Sequence, residues 1–466
     1  MPHFYSSPVG IQSNLRRYAL ASLFSTLLWI ATVGCQPSGT EVAPASRPAA
    51  LEATVAVKWI DLFLTVERFA PGFRPPVAAR ALGYINLAAY EAVVPGSTSY
   101  QSVARQLPGL EIPSVESGKA YQWDIVVNES YHALMVSFFP HVTEVYKKQI
   151  ETLYQQLAVS SADAEVQTRS KKFGQAIAAA VYRFSRTDKV GDEGYLNNQP
   201  TSYVPPVGPG LWQPTFPDYG RALLPYWGKV RTFAASESDK IARPPLPYST
   251  SVTSPMYTQG LEVYSSTTPL SREKQWIGEF WSDDITTLTF EPAARWFAIA
   301  QQVIQQEKVP LDKAIYTYAK LGMGLNDAGV ACWNSKYLYN TERPVSYIRR
   351  AVDPRWQSKL TNPITSLQGI TPPFPSYPSG HSCFGGAAAE VLTDVFGSAY
   401  AMTDRCHEGR TEFMGTPRSF GSFYEMATEN AYSRIPLGVH FRMDCEEGLR
   451  MGYVIGRRVN QLAWKR

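Results

Sequence analysis

Apolar positions in this chain recur mostly at helical spacing. "PPVAARALGYINLAAYEAVV" (75–94) sets apolar and small residues three and four apart behind two prolines suited to a helix start. "WDIVVNESYHALMVSFFPH" (123–141) and "DAEVQTRSKKFGQAIAAAVYRFSR" (163–186) repeat the pattern. It returns in 271–284 ("SREKQWIGEFWSDD"), 291–306, the long run 311–339, from His381 to about Phe396, and from about Gly438 to the C-terminus. Residues 186–256 differ: Gly, Pro, Tyr and Trp dominate, and an irregular segment of that length wraps a surface or serves a site. No stretch alternates with period two over several strands. The pattern predicts an all-α fold, a helical bundle core with long irregular loops.

Composition supports a large packed domain: of 466 residues 44% are apolar, 13% aromatic and 18% charged. The net charge of +4, from 44 basic and 40 acidic residues, with no basic run, gives no support to nucleic-acid binding. Internal repeats are not found. Beyond the N-terminal segment no stretch is long and apolar enough to span a bilayer.

The N-terminus reads as a targeting segment. Arg16 and Arg17 precede the 17-residue stretch "YALASLFSTLLWIATVG", which ends at Gly34-Cys35 ahead of a polar, Pro-rich run. The small residue before Cys35 resembles a bacterial lipobox, although Thr32 stands where Leu is usual. The resemblance implies lipidation at Cys35, with Gln36 favouring the outer membrane; an ordinary secretory signal and a single anchor are the alternatives. The expected layout is a signal peptide (1–34), a flexible tether (35–54) and one helical domain (55–466). An exported chain keeps Cys332, Cys383, Cys406 and Cys445, whose spacing fits no zinc site; Cys406–Cys445 is the preferred pairing.

Three segments carry chemistry. "YPSGHSCFGG" (377–386) places Ser379 or Gly380 at a helix cap and His381 at the helix start, where free N–H groups favour anions. The small residues Gly385 to Ala389 allow that helix a close neighbour. "KYLYNTERP" supplies Lys336 and Arg343, a point charge and a planar fork suited to a tetrahedral oxyanion. "SRIPLGVHFRMD" supplies Arg434, His440 and Asp444, the last placed to orient the imidazole. Singly, each reads equally as a surface charge or a satisfied core histidine.

Together they form K-x6-R-P, P-S-G-H and S-R-x5-H-x3-D. This resembles the signature of the superfamily of type 2 phosphatidic acid phosphatases, bacterial class A acid phosphatases and vanadium-dependent haloperoxidases. The resemblance implies a helical bundle around an anion pocket. Lys336, Arg343, Arg434, Ser379 and Gly380 would hold the oxygens of vanadate or of isosteric phosphate. His440 would be the metal ligand or phosphatase nucleophile, and His381 the acid/base.

Residues 55–460 are similar to bacterial members of the haloperoxidase branch, through "GLWQPTFPDYGRALLPYWGKVRTF", "GEFWSDD" and "NDAGVACWNSKYLYNTERPV". That implies oxidation of halide by hydrogen peroxide, with hypohalous acid passing to a small organic acceptor and Lys336 activating the peroxide. Trp333 and Phe374 match a halide pocket of fungal chloroperoxidases and equally suit packing; Asp284 matches a carboxylate that pairs with Arg434. A periplasmic phosphatase and a non-catalytic oxyanion-binding surface lipoprotein are the other readings. Halide, acceptor and oligomeric state are not given by the sequence.

Overall fold

The computed structural model describes residues 47–161 and 163–466. The segment expected to be a targeting signal, including Cys35, lies outside the described residues. The helices in chain order are α1 (Thr54–Val66), α2 (Pro75–Val93), α3 (Trp123–Phe138), α4 (Glu144–Gln156) and α5 (Ala164–Arg186). Next come α6 (Lys189–Glu193), α7 (Pro255–Thr267), α8 (Arg272–Phe280), α9 (Pro292–Gln306) and α10 (Leu311–Tyr339). The last four are α11 (Pro344–Ala351), α12 (Gly380–Phe396), α13 (Phe423–Tyr432) and α14 (Arg442–Asn460). A small antiparallel pair, β1 (Met402–Asp404) and β2 (Arg418–Phe420), sets Met402 opposite Phe420. The all-α expectation holds, and strands of three residues are too short to show an alternation.

The central element is α10, 29 residues long and buried along almost all of it. It packs against α2 on one side and α12 on another, while α12 lies along α14. Small residues permit both crossings. A Cβ on Gly322 of α10 would stand 2.8 Å from Leu82 O of α2, and one on Gly452 of α14 would stand 2.4 Å from Cys383 O of α12. Side chains at those points would push the helices apart. Caps fix the ends that matter. Ser379 caps α12, accepting from Ser382 N–H at 3.4 Å. Asn340, at φ +48°, closes α10 in the left-handed region that Asn tolerates. That turn delivers Arg343 three residues later, just before Pro344 opens α11.

The irregular stretch between α6 and α7 follows α10. Phe233, Ala234 and Ala235 donate their N–H groups to the Asp327 carboxylate at 2.7–2.9 Å, and Ala242 N–H reaches Ser335 Oγ at 2.8 Å. Among the described residues no helix is long and apolar enough to cross a membrane.

Three expectations need correction. The tether does not extend to residue 54: Pro48 is buried, Glu52 bridges Pro310, and Leu51 O accepts from Leu311 N–H at 2.9 Å. The apolar residues of 48–57 dock this segment onto the start of α10. The last helix begins at Arg442 rather than near Gly438, because Gly438 at φ +77° turns the chain out of the helical region. Cys406 and Cys445 are free thiols. Cys406 Sγ accepts from Gln302 Nε2 at 3.1 Å, while Cys445 is buried in α14, against Ser382.

Candidate active site

The three signature segments converge below the N-terminus of α12. Lys336 comes from the last turn of α10, Arg343 from the turn before α11, and Arg434 and His440 from the connection between α13 and α14. All three cations are fully buried, with 0% exposure. Two carboxylates accompany them. Asp284 accepts from Arg434 Nη2 at 2.5 Å, and Asp444 Oδ2 lies 2.9 Å from His440 Nδ1. Three cations against two carboxylates leave an uncompensated positive charge in a water-poor place, which is costly unless an anion joins it.

Hydrogen bonds fix the tautomer of His440. Asp444 can only accept from His440 Nδ1, and Arg343 Nη1, 3.1 Å from His440 Nε2, can only donate. His440 Nε2 therefore carries its lone pair toward the cations. Asp444 is held in turn by Ser376 Oγ–H at 2.5 Å and Phe441 N–H at 3.0 Å. His381 lies beside the backbone at Trp281, whose carbonyl takes Arg434 Nη1 at 3.4 Å. His381 Nε2 is buried without a partner. Burial first, then the neighbouring cations, hold both imidazoles well below their ordinary pKa, so both are neutral. Burial lifts the Asp444 carboxyl to about 6 against its hydrogen bonds. It lowers the Lys336 ammonium to about 8.

Buried polar atoms without a partner mark where a ligand fits. Arg343 Nη2, Arg434 Nε and His381 Nε2 are all orphaned. The N–H groups of Gly380 and His381, first in α12, likewise find no acceptor among the described residues. Each orphaned buried donor costs about 1–3 kcal/mol, and a cluster of them in one place suits an oxyanion. Among the described residues no group of three His, Cys, Asp or Glu is placed to hold a cation.

Comparison with known proteins places the chain in a family. Residues 316–465 match the family model of the VCPO second helical-bundle domain. Vanadium chloroperoxidase of Curvularia inaequalis is 24% identical over 468 aligned residues, 79% of this chain and 74% of that one. The crystal structure of the first bacterial vanadium-dependent iodoperoxidase superposes with a TM-score of 0.77 at 30% identity, over 89% of this chain and 97% of that one. The chain belongs to the vanadium-dependent haloperoxidase family. Holo-type bacterial vanadium-dependent chloroperoxidase shares the fold, with a TM-score of 0.61 at 15% identity over 92% of this chain and 94% of that one.

Against this family frame, most of the signature residues meet in one place. One does not sit as expected. Lys336 Nζ turns its donors to the carbonyls of Pro375 (2.9 Å), Ser376 (2.9 Å) and Pro378 (2.6 Å) rather than to the orphaned groups. The prolines keep that segment out of a helix, so its carbonyls converge on the ammonium. Trp333 Nε1–H is taken by Leu223 O at 3.2 Å and the residue is 1% exposed, so it serves as a packed aromatic, one of its two expected roles. Its ring lies 5.1 Å from that of Phe374, and Phe374 carries Lys336 and Arg343 over its face at 4.9 and 4.7 Å. These aromatics form an apolar wall that seats the cations.

Sequence reasoning missed Ser376, the Trp281 backbone and Arg295. Ser376 stands inside "PFPSYPSGH" with nothing to separate it from a loop serine, and a backbone group carries no residue signature. Arg295 of α9 is fully buried and donates to Phe280 O at 3.1 Å, Asp283 at 3.3 Å and Asp404 at 2.7 Å. It ties down the segment 280–284 that carries both Trp281 and Asp284. Its neighbours in sequence are helical and apolar, so a buried arginine there is invisible until the fold closes over it.

Proposed function

We propose that this protein oxidises halide with hydrogen peroxide, using vanadate held in the pocket of orphaned donors. The orphaned Arg343 Nη2 and Arg434 Nε, beside a directed His440 Nε2 lone pair, carry the reading: donors for oxyanion oxygens and one nitrogen for the metal. Vanadate fits this donor set. Arg343, Arg434 and the N–H groups of Gly380 and His381 would hold its oxygens. The Ser379 hydroxyl, which only accepts within the cap, is free to donate as well. His440 would ligate vanadium, with Asp444 fixing its ring. Lys336 would act chiefly through its charge and by shaping the segment 375–378.

When bound, vanadate supplies a Lewis acid that makes peroxide oxygen electrophilic without changing oxidation state. The chain does the rest. His381 Nε2, neutral and unpartnered, takes a proton from hydrogen peroxide and returns it as hypohalous acid forms. Arg343 and Arg434 stabilise the negative charge that develops on oxygen. Trp333 and Phe374 keep water from that side, which favours a poorly hydrated halide. The sum is one halide, one hydrogen peroxide and one proton giving hypohalous acid and water.

Phosphate is isosteric with vanadate, and the same His440 Nε2 could attack it. Assaying iodide and bromide oxidation by the vanadate-loaded protein, and phosphate-ester hydrolysis by the vanadate-free protein, separates the two. Halide oxidation that depends on vanadate is the expected result; phosphate release with no halide oxidation would overturn the proposal. The proposal includes export and lipid attachment at Cys35, on the strength of the lipobox-like "TVGC".

A further inference from the structure

Beside the oxyanion pocket lies a second feature. Ile285, Leu288, Leu360, Leu437 and Val439 form a small apolar cluster apart from the main core. All but Val439 line a cleft of about 370 Å³, joined there by Phe413. The cleft shares its walls with the site. Val439 directly precedes His440, and its carbonyl accepts from Arg343 Nη1 at 2.8 Å. Pro436 and Leu437 follow closely on Arg434, and Ser282 and Asp283 precede Asp284. Apolar side chains that face a cleft, rather than the core, suit an organic ligand of this size.

The charges around the cleft are uneven in one respect. Of the three acids that line it, Asp283 pairs with Arg295 and Glu412 with Arg410, while Glu279 accepts only from the neutral Gln275 Nε2 and Met414 N–H. Two lysines also line it, Lys274 and Lys359, both half-buried. Neither has a carboxylate within ion-pair distance among the described residues, although ion pairs are common elsewhere in the chain. Two unpaired cations against the one unpaired acid, Glu279, leave an excess of positive charge at the edge of an apolar floor, which is complementary to an organic anion.

We infer that this cleft binds the organic acceptor, an aromatic molecule bearing a carboxylate or similar anion. Its ring rests on Leu288, Leu360, Leu437 and Phe413, and its anion meets Lys274 and Lys359. The inference rests on the halide-oxidising reading. Hypohalous acid released next door halogenates the ring: a carbon–halogen bond forms, the oxygen–halogen bond breaks, and the ring proton leaves with hydroxide as water. Held acceptor would be halogenated ahead of free solutes.

The probe is 4-hydroxybenzoate, titrated calorimetrically into protein saturated with orthovanadate, with no halide or peroxide. Saturable binding at one site per chain is expected, and neutral phenol should bind more weakly. The paired change Lys274→Gln and Lys359→Gln should weaken 4-hydroxybenzoate about tenfold, while Lys274→Arg with Lys359→Arg should retain it. Absence of saturable binding, or equal affinity in the Gln and Arg pairs, would overturn the inference. Iodide oxidation by the wild-type protein without any organic acceptor is measured in parallel. If it proceeds while 4-hydroxybenzoate does not bind, the acceptor site alone is wrong. If it fails while binding persists, the halide-oxidising reading fails and the cleft loses its acceptor role.

Discussion

At the scale of single residues, the site depends on which atom of each side chain is left free. His440 and His381 are both buried and neutral, yet their partners give them different duties. Asp444 turns the His440 Nε2 lone pair toward the cations, whereas His381 Nε2 is left buried and unpartnered. His440→Ala is therefore expected to abolish vanadate retention in equilibrium dialysis. His381→Ala is expected to keep part of it but lose turnover by about 10²-fold or more. Equal vanadate loss in both would contradict these roles. Titration adds a pH window. Asp444 must be ionised to hold His440, and its carboxyl sits at about 6, so this support is lost as pH falls through that value. Lys336 must be charged, and it sits at about 8, so its attraction is lost as pH rises through that value. Vanadate uptake by the vanadate-free protein should be best between these flanks, measured as affinity against pH. The residue types were legible in the sequence because the three motifs name cations and histidines at fixed spacing. Their directions were not: Lys336 facing three carbonyls depends on where Pro375 and Pro378 bend the chain.

At the scale of elements, helix contacts set the site's geometry. The N-terminus of α12 and the start of α14 are joined directly: Ser379 N–H donates to Asp444 O at 2.9 Å. The closeness of α12 and α14 rests on Gly452, so Gly452→Ala would drive a Cβ into Cys383 O. Thermal unfolding should show a loss of about 1–3 kcal/mol, accompanied by weaker vanadate binding. Arg295 does comparable work on the segment 280–284. Arg295→Met would leave Asp283 and Asp404 buried without their cation, and urea unfolding should show a loss of about 3–5 kcal/mol. Long helices were legible because periodicity accumulates over many turns, as in α10. The short helices α11 and α13 and the β1–β2 pair were not, because each is fixed by tertiary contacts rather than by its own pattern.

For the molecule as a whole, the fold and the family were both readable from the sequence. The apolar spacing pointed to a helical body, and the three motifs name the cations and histidines that the fold brings together within it. The residue 48–54 segment was misread because its Pro and Ala content looks like a tether, while its docking depends on α10. The expected lipid attachment has its own check: Cys35→Ser should move the protein from the membrane fraction to the soluble exported fraction, measured by fractionation of expressing cells. No shift would leave an ordinary signal or anchor in its place. The central claim is that the buried donor cluster takes up one vanadate per chain and that this vanadate makes the protein a halide-oxidising enzyme. The most direct measurement titrates orthovanadate into vanadate-free protein and follows triiodide formation from iodide and hydrogen peroxide at each point. Activity should rise with vanadate and saturate at one equivalent per chain, with no rise for His440→Ala. Iodide oxidation that ignores vanadate, or vanadate that binds without producing any oxidation, would contradict the account.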